Sequence, residues 1–152
     1  RSQTLVNVQV QKDLCLKESN VPDFMVKILY QFIARRQKKM NKACRAFRYF
    51  RPFTDIYEEA KGATGVVSLA AQFGEGWLLP ADIAEFVHDG IKNVVSLQPF
   101  GCIANHIVSK GIEKALHRQY PGLNLLSLDF DSGVSDVNVT NRLLLFLDNL
   151  TA

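Results

Sequence analysis

The feature that most constrains this chain is an alternation in its second half: apolar run, turn, amphipathic helix, turn, apolar run, loop, amphipathic helix. Asn93 to Leu97 reads as a buried strand. Ile103, Ile107, Val108, Ile112, Ala115 and Leu116 then mark one face of a helix. Pro121-Gly122 makes a turn, Leu123 to Leu128 is a second buried strand, and Ser135 caps a last helix running to about Leu150. Strands apolar on both faces, alternating with amphipathic helices, predict a small parallel sheet covered by helices, an α/β fold in β-α-β-α order. Crossovers of this kind are right-handed, and ligands gather at the carboxyl ends of the strands. Here those ends carry Gln98 to Cys102 and Asp129 to Gly133.

The first half reads as mostly helical. Leu5 to Val10 alternates and is β-branched, which predicts a short strand. Ser19-Asn20-Val21-Pro22-Asp23 is a helix start, and Phe24, Ile28, Leu29, Phe32 and Ile33 fall on one helical face. Lys42 to Phe50 is compatible with helix up to Pro52, and Thr54 to Lys61 with a further helix closed by Gly62. Val66 to Phe73 is apolar without a clear period, and Gly74-Glu75-Gly76 interrupts it. Pro80 opens the next helix, with Ile83, Phe86 and Val87 on one face and Gly90 as its cap. The expectation is one α/β domain over 1–152, with a helical part over 1–62 and a Rossmann-like part over 63–152. A chain opening on Arg1 reads as a piece of a larger multidomain protein.

The chain has 152 residues, enough for a real core, and a net charge of +3. The excess is local: Arg35, Arg36, Lys38, Lys39, Lys42, Arg45, Arg48 and Arg51 fall in a stretch without an acidic residue. No RNA-binding or helix-turn-helix signature accompanies them, so they read as a solvated helix face, or a surface that docks on an acidic part of the same protein, rather than a nucleic-acid site. No apolar run is long enough to cross a bilayer and no secretory signal opens the chain, so neither membrane nor nucleic acid is an expected partner and the cytoplasm is the expected compartment. Three cysteines at irregular spacing make no disulfide framework and no complete zinc site. Walker, nucleophile-elbow and HExxH motifs are missing.

Cys102 is the leading candidate for chemistry. At a strand-to-helix turn, a thiol meets the positive end of the helix dipole and free backbone N–H groups, which favour the thiolate that binds metal or attacks electrophiles. His106 follows four residues on, placed as a ligand, a base for the thiol, or a local hydrogen-bonding group. Asp129-Phe130-Asp131-Ser132-Gly133 opens like a calcium loop but lacks the closing glutamate, and turn and capping chemistry explains it better. The plain alternative is a non-catalytic α/β binding or docking module with a structural Cys102.

Gly74-Glu75-Gly76-Trp77-Leu78-Leu79, Asn93 to His106, and Asp129 to Asn138 with Asn141-Arg142 resemble the C-terminal region of large 2-hydroxyacyl-CoA (2-hydroxyglutaryl-CoA) dehydratase activator-like proteins of anaerobes, the CoA-substrate-specific enzyme activases. Arg51-Pro52-Phe53 is similar to an upstream element of that region. The resemblance covers roughly residues 45 to 150. It implies an accessory domain of an iron–sulfur protein whose ATPase modules drive low-potential electron transfer to a dehydratase. It implies Cys102 as one ligand of a [4Fe–4S]-type cluster, with Asn105, His106, Asp129, Asp131 and Ser135 as cofactor-binding residues. The implied partners are the ATPase modules of the parent protein and a dehydratase. The piece alone, which carries neither those modules nor the other cysteines of a complete site, is not expected to be catalytic.

Overall fold

A computed structural model describes residues 3–15, 21–130, 133 and 135–151. The chain forms two compact units, residues 1–60 and 61–152, and the division falls within one helix.

In the first unit, α1 spans Gln3–Asp13, α2 spans Asp23–Cys44 and α3 begins at Ile56 and runs to Thr64. The strand expected at Leu5 to Val10 is the middle of α1, with Leu5 and Val6 buried. Alternation over six residues is a weak signal, and tertiary burial of two adjacent apolar residues overrides the β-branched preference. α2 runs on through the basic segment and ends at Cys44, so of the stretch from Lys42 to Phe50 only the first residues are helical and the rest forms turns. Its start is as expected, with Pro22 immediately before the first helical residue; Ser19 and Asn20 lie outside the described residues. α3 is capped by Asp55, whose Oδ1 accepts the Tyr57 N–H at 3.0 Å. Gly62 does not close α3; the helix passes through it.

The apolar stripe read along this helix faces water. Phe24, Ile28, Leu29 and Phe32 are all exposed, and no residue of α2 is fully buried. The inward arc is a different one, with Tyr30, Gln37 and Asn41 meeting the segment before α3. The Tyr30 hydroxyl donates to Asp55, Gln37 Nε2 donates to the Thr54 carbonyl at 3.4 Å, and Asn41 Oδ1 accepts the Phe53 N–H at 3.0 Å. Polar side chains that hydrogen-bond the irregular backbone of 53–55 and the Asp55 carboxylate tie this arc of α2 to the segment before α3.

The second unit contains α4 (Leu78–His88), β1 (Asn93–Pro99), a π-helical segment (Ala104–Ser109) that runs directly into α5 (Lys110–Gln119), β2 (Asn124–Phe130) and α6 (Asp136–Thr151). β1 and β2 pair in parallel, Asn93 opposite Asn124 and Gln98 opposite Asp129. This is the small parallel sheet with helical crossover that the periodicity requires. The core under one face is Ile83, Val94, Ile112, Leu116 and Leu123, so α4 and α5 cover that face. Burying one such aliphatic side chain stabilises by about 1.5–3 kcal/mol. The other face is covered unevenly: Leu128 is buried, but Val95 and Leu97 are exposed. The expectation of a β1 buried on both sides is therefore corrected. Apolar composition permits burial on two faces, but among the described residues only one face of β1 has a covering layer.

Val66 to Phe73 is neither helix nor regular strand but a series of turns. It ends at two glycines in the left-handed region, Gly74 at φ +58° and Gly76 at φ +47°. At Gly76 the Ala71 carbonyl passes where a side chain would begin, 2.0 Å from an added Cβ, to accept the Trp77 N–H at 2.9 Å. Trp77 is thereby locked at full burial at the head of α4. Gly90 closes α4 as the sequence predicts. The Gly90 N–H donates to Val87 and the Ile91 N–H to Phe86, the paired bonds of a left-handed helix cap.

Candidate functional site

The carboxyl ends of both strands and the start of the following helix meet in one place. After Pro99, Phe100 extends the ladder by donating its N–H to the Phe130 carbonyl at 2.8 Å. The chain then reverses: Gly101 takes φ +78° and the Cys102 N–H donates to the Pro99 carbonyl at 3.2 Å. Glycine at the third position of such a turn is the residue that adopts positive φ without strain. Cys102 is thus delivered, half-buried, to the head of the helix. Its thiol has no hydrogen-bond or disulfide partner among the described residues.

His106 sits one turn later. Its Nδ1 lies 3.1 Å from the Cys102 carbonyl oxygen, which can only accept, so Nδ1 carries a proton and donates. Nε2 turns toward Asp129 Oδ1 at 3.7 Å, and the ring edge packs against Phe100 with centroids 6.1 Å apart. Lys110 Nζ holds the other carboxylate oxygen, Oδ2, at 2.9 Å. Both ring nitrogens of His106 are therefore turned to groups other than the thiol. The geometry does not assemble a thiol–imidazole nucleophile, and His106 acts as a local hydrogen-bonding group that closes the first turn of the helix on the Cys102 carbonyl.

Beneath these groups lies Gln98, wholly buried, with Nε2 3.4 Å from the buried Ser109 hydroxyl and Oε1 buried without a partner. Asp129 Oδ1 is likewise buried and without a hydrogen bond. Gln98 and Asp129 are register partners, so their side chains leave the same face of the sheet side by side. Buried polar atoms are nearly always paired, so these two acceptors without a hydrogen bond, on adjacent strand positions, stand out at this end of the sheet.

The structure thus brings together Cys102, His106 and Asp129, with Asn105 buried on the same helical turn. Ser135 stands exposed before α6, its carbonyl accepting the Asn138 and Val139 N–H groups, without a hydrogen bond to this cluster. Asp131 lies outside the described residues. Sequence reasoning placed Gln98 at the strand end without singling it out, and missed Ser109 and Lys110. A glutamine inside a strand is a signal once the strand's parity is known, and Lys110 lies four residues beyond His106, on its helix face. The Cys102, His106 and Asp129 ligand atoms do not all lie within 4.8 Å of one another. Gly74 abuts the head of the same helix, its added Cβ falling 3.2 Å from the Ala104 Cβ. A shallow groove between β2 and α6, lined by Asn124, Leu126, Arg142, Leu145, Phe146 and Asn149, lies toward the amino end of β2, away from these residues.

No family model, no curated protein and no solved structure matches the chain.

Proposed function

We propose that this chain is an accessory α/β domain of an activase-like iron–sulfur protein, contributing one thiolate to a cluster that serves ATP-driven electron transfer to a 2-hydroxyacyl-CoA dehydratase. The observation that carries the reading is the unpaired, half-buried Cys102 thiol at the carboxyl end of β1, held by Gly101 and by the His106–Cys102 carbonyl bond. A bound cluster would supply one-electron chemistry at low potential. Cubane clusters take three or four thiolates, whereas the second unit holds only Cys102; Cys15 and Cys44 belong to the first unit. The residues fit the group as one wall of a site completed from elsewhere, not as a whole site. Within that wall, His106 hydrogen-bonds the Cys102 carbonyl and Lys110 holds the Asp129 carboxylate.

The test is anaerobic reconstitution with iron and sulfide of the chain together with the ATPase modules of its parent, with and without Cys102→Ala. Loss of iron and of the EPR signal, with circular dichroism unchanged, is the expected result. An unchanged signal would sink the reading and leave the alternative, a docking module with a structural Cys102. That second reading is favoured by the apolar side chains left in water on β1 and α2.

A further inference from the structure

The outward face of α2 changes character along its length. Phe24, Met25, Ile28, Leu29 and Phe32 occupy one arc, each between 48% and 63% exposed. That is an apolar ridge about 12 Å long. Beyond it, the same arc carries Arg35, Arg36, Lys39 and Lys42, all exposed, for about 10 Å more. The Arg36 guanidinium lies over the Phe32 ring at 5.1 Å and marks the border between the two zones. Among the described residues none of Arg35, Arg36, Lys38, Lys39, Lys42, Arg45 or Arg48 has an ion-pair partner. The opposite arc is already occupied by the segment before α3 through Tyr30, Gln37 and Asn41.

We infer that this face docks a protein helix whose exposed ridge is apolar in one half and rich in carboxylates in the other. Charge and geometry together select that occupant. A nucleic acid would neutralise the basic zone and leave five large apolar side chains in water. A flat lipid surface takes residues at one depth, but here the cations follow the apolar ridge along the axis instead of flanking it, with Lys39 at the centre of the arc. A second copy fails as well. Parallel α2 helices would set cation against cation, and antiparallel ones would lay each basic zone on the other's apolar ridge. An acidic amphipathic helix covers the ridge and pairs the cations at once, the helix-in-groove mode of recognition with complementary charge adding specificity.

The probe is a designed helical peptide with an Ile/Leu ridge over one half and a Glu ridge over the other, titrated into the full chain by calorimetry. A control peptide carries Gln for every Glu, and phosphatidylserine vesicles and a single-stranded RNA form two further arms. The expected result is saturable binding to the Glu peptide, weakening at least ~10-fold for the Gln peptide and again in high salt. Phe32→Ser and Lys39→Glu should each weaken it by a similar factor. Because both side chains are exposed, circular dichroism should be unchanged; should Phe32→Ser unfold, Met25→Ser reads the same ridge. Peptide binding indifferent to Lys39→Glu, or tighter binding to vesicles or RNA than to the peptide, would overturn the inference.

Discussion

Replacing Gln98 by methionine should make the protein more stable, not less. The side chain is wholly buried, its Oε1 has no partner, and its one bond, to Ser109, is long at 3.4 Å. A buried unsatisfied carbonyl costs about 1–3 kcal/mol, while a weak neutral hydrogen bond returns about 0.5–1 kcal/mol. Methionine has nearly the same volume and shape, so no cavity opens. The difference is a gain of about 1 kcal/mol, a rise of about 0.5 M in the urea midpoint for an m-value near 2 kcal/mol/M. The assay is urea unfolding followed by circular dichroism, with Ser109→Ala measured alongside to isolate the lost bond. Destabilisation by more than about 1 kcal/mol would refute the reasoning. It would mean that the amide stands the other way round, its NH2 group supplying Asp129 Oδ1 with the missing donor. If the gain is found, the fold at this end of the sheet is not at its stability optimum, as is common in natural proteins.

Gly76→Ala should destabilise the second unit by about 3 kcal/mol or more, because the left-handed φ and the Ala71 carbonyl 2.0 Å from the new Cβ leave nowhere for it to go; a melting temperature within a degree or two of the parent's would contradict this. Cys102→Ser should fold with a loss under about 1 kcal/mol in denaturant titrations, since the thiol makes no bond; a large loss would make it a packing residue. The Tyr30 hydroxyl donates to Asp55, and that bond, aided by burial, raises its pKa above the ordinary 10.0. Since the folded value is the higher one, the stabilisation is fully present below the unfolded pKa and is lost as pH rises through the folded one. Tyr30→Phe should therefore cost about 1 kcal/mol at neutral pH, and the cost should shrink as the pH is raised into the range where the tyrosine ionises; a gap that does not shrink in alkali would show that the bond is not its source.

The architecture of the second unit was legible because its cues are local and agree with one another. Two apolar runs, a glycine-bearing turn and a helical period between them leave a parallel β-α-β as the economical solution, and Gly90 and Pro22 marked helix ends through their own backbone restrictions. The same logic placed Cys102, His106 and Asp129 at one end of the sheet. What the residues do to each other there was not legible. That His106 fastens the Cys102 carbonyl instead of activating its thiol, and that Gln98 lies buried with an orphaned oxygen beside Asp129, depends on rotamers and on strand register. In the first unit the periodicity of α2 correctly indicated a helix with an apolar stripe. Which arc turned inward was decided by the tertiary structure, in which Tyr30, Gln37 and Asn41 hydrogen-bond residues 53–55. Hydrophobic pattern fixes what a helix can bury; only the neighbours present in the fold decide what it does bury.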